Sequence, residues 1–119
     1  MALYYNLSKL NEQKKDNSVE VKEAIESFVF LAEKKLTKLE KAISKKKYDK
    51  VLKHLSKLKK HLILFEIDEC VEYADGISLW ADNQGSRNAI EEVFKVFKNR
   101  IEKALKEMKK DFKIAIPVE

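Results

Sequence analysis

Apolar residues recur at intervals of three and four through most of this chain, and that spacing dictates its secondary structure. An α-helix turns by ~100° per residue, so a set spaced this way falls on one face. Val21, Ile25, Phe28, Ala32, Leu36, Leu39 and Ile43 form one such row. Val51, Leu55, Leu58, Leu62 and Phe65 form a second, and Ile90, Phe94, Phe97, Ile101, Leu105, Met108 and Phe112 a third. A weaker set, Ile67, Cys70, Val71, Ala74, Ile77 and Ala81, predicts a further helix with Gly76 in its interior, at a cost of about 1 kcal/mol against Ala. The whole chain holds only two glycines and one proline. A β-protein would need turn signals every ~8–12 residues, and this sequence lacks them.

The breaks between rows set the boundaries. A short leading helix is predicted over 3–11, with Leu3, Leu7 and Leu10 on one side. Positions 16–18 interrupt it, and Asn17 with Glu20 three residues later makes a capping pair for the second helix. That helix should stop near 45–47, where its apolar row ends. The third covers 48–65, and the fourth starts near Asp68 after a joint at Glu66 and Ile67. Asn83, Gln84, Gly85 and Ser86 make a turn, with Ser86 or Asn88 capping the last helix. Pro117 disfavours helix before it, so 114–118 is expected to be extended. Short connections make sequential helices antiparallel. The expected fold is all-α: one domain over 1–119, an up-down-up-down four-helix bundle with a short extra N-terminal helix and a tail from about 113.

The formal charge is +5, nearly all of the cations being lysine. Such a surface suits an acidic partner. No apolar run is long enough to span a membrane; the longest are 28–32 and 62–65. Residues 1–15 lack a hydrophobic signal core, so a cytoplasmic protein with no membrane partner is expected. Cys70 stands alone, which excludes an intramolecular disulfide, and it reads as a small packed apolar residue. No Gly-rich phosphate loop, spaced acid pair or nucleophile triad can be assembled. Neither a cofactor, a metal site nor a catalytic site of the chain's own is expected.

The stretch 42–60, with Ser56, Leu58, Lys59 and Lys60 at its centre, resembles histidine-containing phosphotransfer domains. Those domains are helical bundles that pass a phosphoryl group between receiver-domain aspartates. Their mark is a phosphorylated His followed by x-Leu-Lys-Gly on a bundle helix. The resemblance extends over nearly the whole chain in helix order and connection length, whereas residue identity is confined to Leu58 and Lys59. On this alignment Ser56 stands where the reactive His belongs, Lys60 replaces the motif Gly, and Glu66 replaces a glycine often found later.

Helix geometry agrees with that register. At ~100° per residue the second apolar row clusters within about 40° of one direction, and Ser56 lies about 140° away, on the exposed side. Leu55 and Leu58 fall at positions the family buries. The rival register, with His54 as phosphoacceptor, would put Lys53 and Ser56 at those buried positions and Leu58 where Gly is expected. A buried Lys without a partner is the costlier departure. The resemblance then implies a degenerate domain, similar to the plant pseudo-phosphotransfer proteins. A serine hydroxyl without an adjacent base is a weak nucleophile, and its phosphate ester is too stable to donate onward.

Around Ser56, the residues Leu52, Lys53, Lys59, Lys60 and Ile63 form a basic, partly apolar patch suited to an acidic receiver domain. Its competing reading is that Leu52 and Ile63 flank the core row under a neighbouring helix. The resemblance thus implies a non-catalytic module of phosphorelay signalling that binds a response-regulator receiver domain or a histidine kinase, as a monomer or weak dimer. Two alternatives stand beside it: an active phosphotransfer protein using His54 or His61, and an unrelated helical adaptor or assembly protein sharing only architecture. His54 and His61 are seven residues apart, about 10 Å along the axis, which is too far to share a metal. Eight lysines and one acid, Asp49, lie between Lys45 and Lys60. The lack of Arg, the single aromatic Tyr48 and the absence of a groove-reading motif argue against nucleic acid there. Trp80 reads as a plug between helices.

Overall fold

The computed structural model describes residues 4–114. Helix accounts for 82% of them, with no strand among the described residues. Five helices follow one another: α1 (Ser8–Gln13), α2 (Ser18–Ser44), α3 (Tyr48–Leu64), α4 (Asp68–Asp82) and α5 (Arg87–Phe112). The long helices pack in a ring, α2 on α3, α3 on α4, α4 on α5, and α5 back on α2. Their cross-contacts run in opposite chain directions, as Lys109–Glu33 and Lys98–Glu40 show between α5 and α2. The pairs His54–Lys35 and His61–Phe28 show the same between α3 and α2. Neighbours are therefore antiparallel, as connections of three or four residues require.

The apolar rows meet in one core. Phe28, Phe65, Phe97, Ile25, Leu39, Leu58 and Ile101 are essentially sealed from solvent. The Phe28 ring stacks on that of Phe65 with centroids 4.5 Å apart, joining α2 to the end of α3. Each boundary has a local cause. Asn17 caps α2, its side-chain oxygen accepting from the Val19 and Glu20 amides. At the α2–α3 turn Lys46 adopts a left-handed φ of 53°, and the Lys47 amide closes the turn on the Ala42 carbonyl. Glu66 and Gln84 take the same conformation in the next two turns.

The leading helix differs from the sequence expectation. It starts at Ser8 and not at position 3, and Leu3 lies outside the described residues. Residues 4–7 are drawn instead into contacts with the bundle end. The Asn6 amide donates to the Phe65 carbonyl, the Tyr4 amide to Glu107, and the Tyr5 hydroxyl to Asp111. Burial and that carboxylate push the Tyr5 phenol above its ordinary pKa. Gly76 does not break α4; it faces open space on an exposed side. Of the predicted extended tail, Ile114 is non-helical and 115–118 lie outside the described residues.

At the other end of the bundle Trp80 is the predicted plug. Its indole N–H donates to the Ser86 carbonyl at 2.7 Å, and its ring meets Tyr48 edge-on. The Tyr48 hydroxyl in turn donates to the Gly85 carbonyl at 2.8 Å. A Cβ at Gly85 would fall 2.3 Å from the indole Cδ1, so only glycine fits this turn without displacement. The clasp fixes the start of α3 against the α4–α5 turn, immediately after the Lys45–Lys47 corner.

Candidate functional site

Helix α3 exposes one side and is gripped on two others. Leu55 and Leu58 are buried and Ser56 is exposed, with Lys53, Lys57 and Lys60 exposed around it. Ile63 is also open, at 43% exposure. Two members of the predicted patch are held elsewhere. Leu52 is half-buried and packs on the core, and Lys59 forms an ion pair with Asp75 of α4. The free face of α3 is therefore Lys53, Ser56, Lys60 and Ile63, with Lys57 at its edge. No side-chain hydrogen bond reaches the Ser56 hydroxyl among the described residues.

The two histidines point toward α2, and each has a defined partner. His61 is half-buried, stacks on Phe28 at 5.8 Å, and its Nδ1 lies 3.1 Å from the Lys57 carbonyl. A carbonyl only accepts, so Nδ1 carries the proton and Nε2 keeps its lone pair. Beside it a depression of about 390 Å³ is lined by Lys9, Gln13, Lys60, Ile63 and Leu64. His54 has the opposite tautomer. Lys35 Nζ lies 3.1 Å from its Nδ1; with Lys35 as an ammonium, which only donates, Nδ1 accepts and the proton of the neutral ring sits on Nε2.

Lys35 is the residue that the sequence reading missed. It is 7% exposed, the one charged side chain among the buried residues described. Phe28, Ala32, Lys35, Leu39 and Ala42 are spaced by four, three, four and three, which puts Lys35 on a core-facing row of α2. That spacing was the available signal. Burial lowers the Lys35 pKa, and Lys57, Lys38, Lys53 and Lys34 lower it further. His54 is lowered first by burial, then by Lys35, Lys38, Lys53 and Lys57. Both side chains are thus disfavoured in their charged forms, first by burial and then by a shared cationic surrounding.

Above this pair, between the C-terminal part of α2 and the start of α3, runs a groove of about 390 Å³. Lys38, Lys41, Lys45, Lys47, Lys50 and Lys53 line it, together with Ala42 and His54. None of the six lysines has an ion-pair partner among the described residues. Elsewhere chemistry is sparse. Cys70 is sealed in the core, its thiol pushed up to about 12 by burial and by Glu69, against the opposing Arg100. Among the described residues no three His, Cys, Asp or Glu side chains converge as a metal site would need, and no helix is long and apolar enough to cross a membrane.

Comparison with protein-family models, with curated proteins and with solved structures finds no match to this chain.

Proposed function

We propose that the chain is a non-catalytic, phosphotransfer-like interaction module that binds an acidic receiver-type domain through the exposed side of α3. What carries the reading is the placement of Ser56: mid-helix, open to solvent, between buried Leu55 and Leu58, with Lys53, Lys57 and Lys60 around it. A basic face with one open aliphatic side chain, Ile63, complements an acidic phosphorylation pocket in charge and offers a small apolar contact. Serine without a base cannot take the place of an imidazole in phosphoryl relay.

The test mixes the purified chain with a receiver domain carrying labelled phosphoryl aspartate. Binding without transfer of label is expected, and Lys53→Glu with Lys60→Glu should abolish it. Label appearing on His54 or His61 would overturn the reading. The double change Ser56→His and Lys60→Gly should confer label uptake if docking geometry has been kept.

A second reading, an active phosphotransferase, is favoured by one observation at His61. Its Nε2 lone pair is left available by the Nδ1–Lys57 bond, beside the depression that Lys9 and Lys60 line. Acid-labile phosphate that disappears in His61→Gln and persists in His54→Gln would establish it. If no receiver-type partner binds at all, an adaptor unrelated to phosphorelay is the remaining account.

A further inference from the structure

The groove between α2 and α3 shares only Lys53 with the Ser56 face and calls for its own explanation. Charge on α2 is sorted by side. Glu33 and Glu40 turn to Lys109 and Lys98 of α5, while Lys38, Lys41 and Lys45 line the groove. Across it stand Lys47, Lys50 and Lys53 from the start of α3. Like charges gathered in this way repel, and none of the six forms an ion pair with a carboxylate among the described residues; Asp49, in the first turn of α3, is the one acid between Lys45 and Lys60. The C-terminal end of α2 and the N-terminal end of α3 meet here with opposite dipoles, so the side-chain charges set the sign of the potential.

The lining also constrains the ligand. From Lys38 to Lys45 the wall runs about 10 Å, and the α2–α3 turn closes it. That length suits a compact anion better than a polymer. Sites for single-stranded nucleic acid add aromatic platforms and Arg to their basic grooves; no aromatic or Arg side chain lines this one. Tyr48, the nearest candidate in sequence, is committed to Trp80 and the Gly85 carbonyl. Lysines act as mobile point charges, without the planar fork that Arg offers, and so read charge density more than shape. His54 adds a neutral donor, its Nε2–H, because Lys35 occupies Nδ1.

We propose that this groove binds a compact polyphosphate, several phosphoryl groups on one small molecule, through its lysines with the His54 Nε2–H as a further donor. The ligand would neutralise the cluster that the fold leaves unpaired. Bound anion would also oppose the cations that face His54, which are Lys35 and Lys38 from α2 and Lys53 and Lys57 from α3.

Calorimetry on the full chain with inorganic tripolyphosphate, at about 150 mM salt to screen loose surface attraction, tests this directly. Saturable one-to-one binding is expected. The double variant Lys41→Gln, Lys50→Gln should weaken it about tenfold or more, on the scale of one lost charge-assisted contact. Lys106→Gln with Lys110→Gln on α5 should leave it unchanged. All four positions are exposed, so folding is not at stake. In the unmodified chain, NMR titration of His54 should show its pKa rising when tripolyphosphate is bound. The proposal fails if binding does not saturate at that salt, if the α5 variant loses as much affinity, or if His54 does not respond. It also fails if a single-stranded oligonucleotide or anionic vesicles bind more tightly than tripolyphosphate.

Discussion

Toward α5, helix α2 presents Glu33 and Glu40 to Lys109 and Lys98; toward α3, the same helix presents Lys35 to His54, and Lys38 and Lys41 to Lys50 and Lys53 across a groove. Both seams rest on buried apolar rows, with Ala32, Leu36 and Leu39 on α2 and Leu55, Leu58, Ile101 and Leu105 on its neighbours. They differ in how charge is placed above that packing. The α5 seam is arranged as stability alone would arrange it. The α3 seam opposes stability: it buries a lysine, holds a histidine neutral and leaves six lysines unpaired. A chain selected only to fold would have no reason to keep that arrangement.

If apolar packing holds the repelling α3 seam together, removing it should be severe. Phe28→Ala, which unstacks Phe65 and His61, should lower stability by about 3–5 kcal/mol in urea denaturation. A loss below about 1 kcal/mol would mean that the seam is held by something else. Next in size is Gly85→Ala. The added methyl meets the indole of Trp80, and the clasp that fixes the start of α3 should lose about 1–3 kcal/mol.

Lys35→Met has the opposite sign. Replacing a buried, repelled cation by an apolar side chain of similar length should stabilise the protein by about 1 kcal/mol while weakening anion binding. The same variant bears on pH. Because folding lowers the His54 pKa below its ordinary 6.5, the unfolded state takes up the proton first. Stability contributed by neutral His54 is present above the ordinary 6.5 and is lost as pH falls through that value toward the lowered pKa of the folded state. Lys35→Met should flatten that decline by releasing His54 from one of its repelling neighbours. Smallest of all is the α5 seam, where Glu40→Gln should change stability by no more than about 0.5 kcal/mol, as both partners are substantially exposed. An effect above about 1 kcal/mol would erase the contrast between the seams.

Much of this was legible in the sequence, for a physical reason. Rows such as Val51, Leu55, Leu58, Leu62 and Phe65 are long enough that only a helix buries them together, so the four long helices could be read from spacing. Asn17 and the turn at Gly85 mark boundaries through local chemistry. The start of α1 was not legible, because the Asn6 amide bonds to Phe65, far away in sequence. The Ser56 face was readable as a direction on α3, but the loss of Lys59 to Asp75 depends on which helix packs beside it. The groove was harder still. Lysines at 38, 41, 50 and 53 look like solvated surface until α2 and α3 are laid side by side. Lys35 at a core-facing position was the single local clue.

The α2–α3 seam gathers lysines without ion-pair partners around His54. An NMR titration of the His54 imidazole in the free protein at low salt measures that charge most directly. The expected result is a pKa below the ordinary 6.5, moving upward as salt is added and the lysines are screened. A value at or above 6.5 that does not respond to salt would contradict it.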